Sequence, residues 1–331
     1  MDIRKVQMSG GSSYIVSLPK NWVIKSRIKK NDPVGLIEQD DGTILITPNT
    51  SGEQIRKIWK FEVSASTDET YFLRCMIGAY ISGYTVMRIW AHGRLPAFAT
   101  VKVREFTSMA IGQEVVDETD STIEIKDLLN PSEMPLNSTL SRMSVIVIKM
   151  HQDAMNALKE NDHNLADNVI LRDNDVDRLH WLIARQSNLL LNDLNLGRKM
   201  EIPNDMAVSY FLTSRIIERV GDHAGRIAKN SKYINSGDIS PELTEQISKT
   251  STEAVDIFRN SISSFFNGDI KTANKLIDMA GKNVGVCREI NDIALTYDAS
   301  VATHLVGISD SMRRVADYSA DICENVINHF I

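Results

Sequence analysis

Two pairs of acidic residues repeat one spacing. Asp173 and Asp177 lie four apart in the run Asp173-Asn174-Asp175-Val176-Asp177, and Glu218 and Asp222 do the same further along. On a helix, residues four apart share a face, and a like-charged pair there costs about 0.2–0.5 kcal/mol. If two such helices face one another, four carboxylates converge. A cation between them relieves the repulsion, and oxygen-only ligands suit magnesium, calcium, manganese or a hard iron. The competing reading is a solvated acidic face on each helix. Asp317 stands where Asp222 would fall in a second copy of the same segment, but Arg313 replaces Glu218, and Ala280 and Val284 replace Asp173 and Asp177. Arg314 stands next to Asp317, and a guanidinium beside a lone carboxylate satisfies it without metal.

Other chemistry is sparse. There is no Gly-x-Ser-x-Gly, and Gly10-Gly11-Ser12-Ser13 lacks the Gly-Lys-Ser/Thr of a phosphate loop. The histidines are scattered. His151 and His163 flank a helix break and are expected at the surface. No enzyme activity is expected. Basic residues concentrate near the N-terminus: residues 1–50 hold seven Lys/Arg against five Asp/Glu, in a chain of net charge −6. Arg4 and Lys5 lie on the first strand, and Lys25, Arg27, Lys29 and Lys30 follow a short helix. Doubled in a dimer, they would form a positive face suited to phosphate backbones. An ordinary solvated surface is the alternative.

Three segments position these residues. Residues 1–50 read as strands at Arg4–Met8, Ser13–Leu18, Val34–Glu38 and Ile44–Thr47, with a helical turn at Pro19–Ser26 and a hairpin turn at Asp40-Asp41-Gly42-Thr43. So small a unit buries little surface alone and needs a partner chain. Residues 52–130 read as βαβαββ, a small α+β module. From Pro135 onward the apolar period is 3.6, which predicts helices at about 137–160, 163–197, 203–234, 241–266, 270–296 and 300–330. Short connections make neighbours antiparallel, giving bundles at 136–235 and 239–331. These two are a repeat. Asn161-Asp162…Ala166…Ile170 aligns with Gly268-Asp269…Ala273…Ile277, and Glu218–His223 aligns with Arg313–Tyr318.

The 331 residues are 43% hydrophobic and 24% charged, which excludes a disordered or low-complexity chain. No run of 18 apolar residues is present, and Cys75, Cys287 and Cys323 form neither a metal knuckle nor a disulfide framework. A reduced, cytoplasmic setting is expected.

Two resemblances extend this reading. Lys5–Met8, Ser13–Val23 with its Leu18-Pro19-Lys20 entry, Lys30–Val34, and Asp41–Pro48 together resemble the AbrB/SpoVT family, with Asn31-Asp32 where Gly-Asp is usual. That resemblance implies a swapped-hairpin dimer binding DNA, carried over to Arg4, Lys5, Lys20 and Arg27. Residues 136–331 resemble the PhoU family through Glu218–Ile227, Arg313–Ile322 and the Asp173, Val176, Asp177, Leu179 helix. This implies tandem three-helix bundles and a multinuclear centre of divalent or trivalent metal (iron, zinc, manganese or magnesium). The centre is carried over to Asp173, Asp177, Glu218 and Asp222 in the first bundle, and in the second only to Asp317. It also implies negative control of phosphate uptake through a phosphate transporter ATPase and a sensor kinase. The expected fold is mainly α: tandem three-helix bundles, preceded by a small α+β module and an N-terminal swapped-hairpin β domain. The combination is similar to the archaeal type of phosphate uptake regulator, a homodimer acting as a DNA-binding transcription regulator. In the alternative, the protein is an adaptor that docks on the transporter ATPase or kinase, with a head that only dimerises.

Overall fold

The computed structural model describes residues 2–38, 42–48, 50, 56–192, 196–197, 200, 202–203, 206–235 and 237–331. The chain divides into two compact units, Met1–Ile55 and Arg56–Ile331.

The first unit is two antiparallel hairpins and a short helix. Strands β1 (Gln7–Ser9) and β2 (Ser13–Ile15) pair around Gly10 and Gly11, which take φ of 64° and 81°. Helix α1 (Lys20–Lys25) follows Pro19, and β3 (Gly35–Glu38) pairs with β4 (Ile44–Thr47). Arg4 and Lys5 precede β1 instead of lying on it. The register ends at Gln7↔Ile15, and Pro19 soon turns the partner strand away, so earlier residues have no strand to bond. Asn31, at the glycine position of the turn, adopts φ 72°, a left-handed conformation that asparagine tolerates. The Asp32 carboxylate accepts from the Lys29 amide at 2.8 Å and closes that turn. Asp40 and Asp41, expected in the β3–β4 turn, lie outside the described residues.

The second unit begins with the α+β module: β5 (Ile58–Glu62), α2 (Glu69–Ile81), β6 (Val86–Trp90), α3 (Ala97–Met109), β7 (Gln113–Glu118) and β8 (Thr122–Asp127). The strands lie in the order β5-β6-β8-β7, with β5 parallel to β6 and the other pairs antiparallel. Asp68 caps α2 by accepting from the Tyr71 amide. Phe72, Met76 and Tyr80 of α2, and Val103 and Phe106 of α3, pack on Met87, Ile89, Ile123 and Ile125 of one sheet face.

Among the described residues six long helices follow: α4 (Leu136–Glu160), α5 (His163–Asn192), α6 (Met206–Ser231), α7 (Pro241–Asn267), α8 (Ile270–Ala294) and α9 (Ala299–Phe330). Helices α4–α6 contact one another, as do α7–α9, and the two bundles join through α6 against α9 and α4 against α7. One continuous apolar core runs through both. The repeat holds at its helix ends. Asn161 and Gly268 both end a helix in the left-handed region, at φ 56° and 62°. The next residues, Asp162 and Asp269, both cap the following helix, accepting from the Leu165 and Thr272 amides at 3.0 Å.

Helix α5 also holds the α+β module. Arg185, 2% exposed, lies over the Tyr80 ring, donates to the Tyr80 carbonyl and pairs with the buried Asp127 carboxylate. Arg178 donates to the Met109 carbonyl at 3.1 Å and Asn188 to the Ile81 carbonyl at 3.0 Å. At the end of α2, Gly83 (φ 82°) approaches so closely that an added Cβ would stand 2.8 Å from Leu189. Replacing Arg185 by Leu strands a buried carboxylate and is expected to cost about 3–5 kcal/mol in equilibrium urea unfolding. The double variant Arg185→Leu/Asp127→Leu recovers most of that loss, because no uncompensated charge is left behind.

Candidate metal centre

The four carboxylates of the first bundle lie on the α5–α6 seam. Val147 of α4 and Val176 of α5 close over Gly221 of α6, so the carboxylate-bearing turns meet at short range. Their electrostatics show the proximity. Burial pushes Asp173 up, reinforced by the negative charge of Asp222. Asp177 is pushed up to about 7, first by burial and then by Asp173, Glu218 and Asp222, against a weak pull from Arg215. Glu218 is also raised, chiefly by burial, with Arg215 opposing and Asp222 and Asp173 adding. The half-buried Asp173 Oδ1 and Glu218 Oε2 have no hydrogen-bond partner. The nearest cation to Glu218 is Arg215 Nη1 at 3.5 Å, an ion-pair contact with poor hydrogen-bond geometry.

Such oxygens, unsatisfied and mutually repelling, fit a hard cation in charge and donor type. As the side chains stand, however, no three His, Cys, Asp or Glu groups among the described residues are close enough to hold one ion. Asp173, Asp177, Glu218 and Asp222 therefore form a cluster of acids and not a finished cage.

The second bundle has neutralised the corresponding place. Arg313, at the Glu218 position, donates to Asp317 at 2.8 Å and to Asp310 at 2.6 Å. Asp317 is thus held by an internal guanidinium, and the facing α8 positions Ala280 and Val284 offer no carboxylate. The guanidinium that holds Asp317 is Arg313 and not the expected Arg314, which stands 4.0 Å away, because residues four apart on a helix share a face.

The proposed nucleic-acid residues, Arg4, Lys5, Lys20 and Arg27, are all exposed. Arg27 follows Ser26, the C-cap of α1, and adopts φ 56°. Asp2 lies 3.9 Å from Arg4.

Some buried polar residues were not anticipated. His151, expected near the surface, is 1% exposed inside α4, where Nε2 hydrogen-bonds Ser251 Oγ of α7 at 2.7 Å. It joins the two bundles. Burial lowers its pKa to about 4, with His223 adding to the shift, which leaves the imidazole neutral near pH 7. Its place four residues after Val147 and three before Ala154, both buried on the same helix face, was the available signal. Arg185 likewise sits in the run Leu182-Ile183-Ala184-Arg185 with no acid three or four residues away, the mark of a distant partner.

The sequence model of the family described as "PhoU domain" matches residues 140–231 and 247–326, more than half of the chain. The chain belongs to the PhoU family. Residues 7–54 match a model described as "Antidote-toxin recognition MazE, bacterial antitoxin", so a MazE/AbrB-like domain precedes the PhoU body. Relatives include proteins called phosphate-specific transport system accessory protein PhoU homolog. The one from Xylella fastidiosa is 24% identical over 209 residues, covering 58% of this chain and 82% of its own. That from Clostridium acetobutylicum is 24% identical over 207 residues, covering 58% and 89%. The PhoU crystal structure from Streptococcus pneumoniae superposes with a TM-score of 0.49 at 19% identity, covering 58% of this chain and 91% of that one. Among the described residues, no helix is long and apolar enough to cross a membrane.

The raised acid sets a pH dependence for the cation-free protein. Unfolded aspartate titrates near 3.9, whereas folded Asp177 holds its proton to about 7. Between these values the folded state binds more protons, so stability falls as pH rises through the window and levels off above it. Thermal unfolding in chelator from pH 4 to 8 should show this decline, and Asp177→Asn should flatten it and melt higher than the parent above pH 7. Coincident profiles would mean that the repulsion is absent.

Proposed function

We propose that this PhoU-family protein is a regulator of phosphate transport, with a body that responds to phosphate status and a head that reads DNA as a dimer. The observation that carries the reading is the pairing, in one chain, of a PhoU body with a head unable to satisfy itself. Among the described residues of the head only Ile37 is a buried large apolar side chain, while Val6, Met8, Tyr14, Ile15, Leu36 and Ile44 are exposed. An apolar surface of that extent on so small a unit calls for a second copy. Two heads bring together two sets of Arg4, Lys5, Lys20 and Arg27, the arrangement of the archaeal type of regulator. The bodies of relatives named as phosphate-transport accessory proteins supply the other half of the reading, with a transporter ATPase or sensor kinase as the protein partner in the cytoplasm.

In this reading the first bundle takes up a divalent or trivalent cation, which supplies positive charge to Asp173, Asp177, Glu218 and Asp222. Those four carboxylates would provide the ligands by drawing together from their present separation; the second bundle, with Arg313 in place, needs none. Thermal unfolding at pH 8 with millimolar manganese or magnesium is expected to raise the midpoint of the parent by several degrees, and Glu218→Ala/Asp222→Ala should abolish the rise. An equal rise in both would remove the cation from the proposal.

DNA binding separates regulator from adaptor. In gel shifts with DNA upstream of phosphate-transport genes, the full chain should favour one fragment over scrambled DNA at physiological salt. Arg4→Glu/Lys5→Glu/Arg27→Glu should lose binding and flatten its salt dependence, since each lost phosphate contact lowers the slope by about 0.9. Binding that ignores sequence and vanishes with salt would leave the adaptor.

A further inference from the structure

The sheet of the α+β module has one face covered by α2 and α3. The other carries Lys60, Arg88, Glu124 and Asp117 in a single row, because the register places Lys60 beside Arg88, Arg88 beside Glu124, and Glu124 beside Asp117. Read across β5-β6-β8-β7, the row is plus, plus, minus, minus. Arg88 and Glu124 bond to each other at 2.6 Å. Lys60 and Asp117, on the two edge strands, are both exposed, and no ion pair within the described chain involves either. A shallow cleft of about 410 Å³ lies over the row, with Trp90 and Thr122 at one side.

We infer that this open face docks on the same face of a second copy. The order of charge argues for it and also selects the geometry. Two identical sheets packed face to face by a two-fold axis can have that axis along the strands or across them. With the axis along the strands, left and right exchange: Lys60 meets Asp117 of the second copy, and Arg88 meets its Glu124. With the axis across the strands, Lys60 meets Lys60 and Asp117 meets Asp117. The row is self-complementary in the first arrangement and self-repelling in the second. A nucleic-acid strand would gain from Lys60 and Arg88 but meet Glu124 and Asp117 at once, so the charge pattern favours the second copy. Four short strands offer less than the roughly 1,200 Å² of total area that stable interfaces bury. The contact therefore forms only between chains already joined, and it rests on the head pairing proposed above, which raises the local concentration of one module around the other. Its consequence is that head pairing and body position become coupled through the module between them.

Disulfide trapping in the full chain tests this. In a Cys75→Ser background, which leaves the buried Cys287 and Cys323, the double variant Lys60→Cys/Asp117→Cys is oxidised mildly and run on a non-reducing gel beside each single variant. Within one chain the two positions are three strand spacings apart, about 14 Å, and cannot bond. The expected result is that most of the double variant becomes a covalent dimer while each single variant does not. A cross-link in Lys60→Cys alone would show the other two-fold arrangement and overturn the inference. Light scattering on the same samples separates the two readings. A dimer in solution without the cross-link refutes docking of this face but keeps the head pairing, whereas a monomer refutes both.

Discussion

Helix α5 has two neighbours to satisfy, and the buried pair of Arg185 and Asp127 is the constraint that lets it do so. Burying a guanidinium and a carboxylate is costly unless each finds the other and the remaining donors are used. Here the second arm of Arg185 reaches the Tyr80 carbonyl and its plane lies over the Tyr80 ring. The bonds from Arg178 and Asn188 extend the contact along the same helix. Because α5 is gripped by the module along this strip, the neighbouring strip that carries Asp173 and Asp177 is presented toward α6.

The first bundle then concentrates negative charge that Arg215 only partly offsets, while the second carries Arg313 within its acidic group. Both copies descend from one arrangement of three helices, with matching left-handed ends at Asn161 and Gly268 and matching aspartate caps. With Ala280 and Val284 at the Asp173 and Asp177 positions and Arg313 at the Glu218 position, the second copy has a closed salt-bridge network with Asp310 and Asp317 where the first has a deficit of positive charge. The asymmetry makes the first bundle responsive to added charge and the second a support. His151, neutral and bonded to Ser251, belongs to that support, linking α4 to α7 across the bundle boundary.

The head obeys a different economy. Its two hairpins are held by backbone pairing and by the turn of Asn31 and Asp32, with almost no apolar core of its own among the described residues. Its shape is local, while its stability calls for another chain. The basic residues it displays are exposed without being gathered into a pocket, as suits contact with an extended charged surface.

Most of the architecture was legible in the residues because it is periodic. The βαβαββ order, the six helices and the repeat of Asn161-Asp162 in Gly268-Asp269 follow from alternation, from the 3.6-residue period and from self-similarity of the chain, all of which are read from positions along it. The family resemblance of the body rested on the same helices. The strand start at Gln7 was misplaced because pairing depends on where the opposite strand stops. The carboxylate spacing was visible too, but spacing alone does not distinguish a solvated face from a seam. Only the packing of α5 on α6 decided that Asp177 is raised toward 7 and that the acids repel without forming a cage. The same holds for Arg185 and His151, whose partners lie 58 and 100 residues away. Interactions between near neighbours are written in the order of residues; burial and long-range charge exist only once the chain has closed on itself.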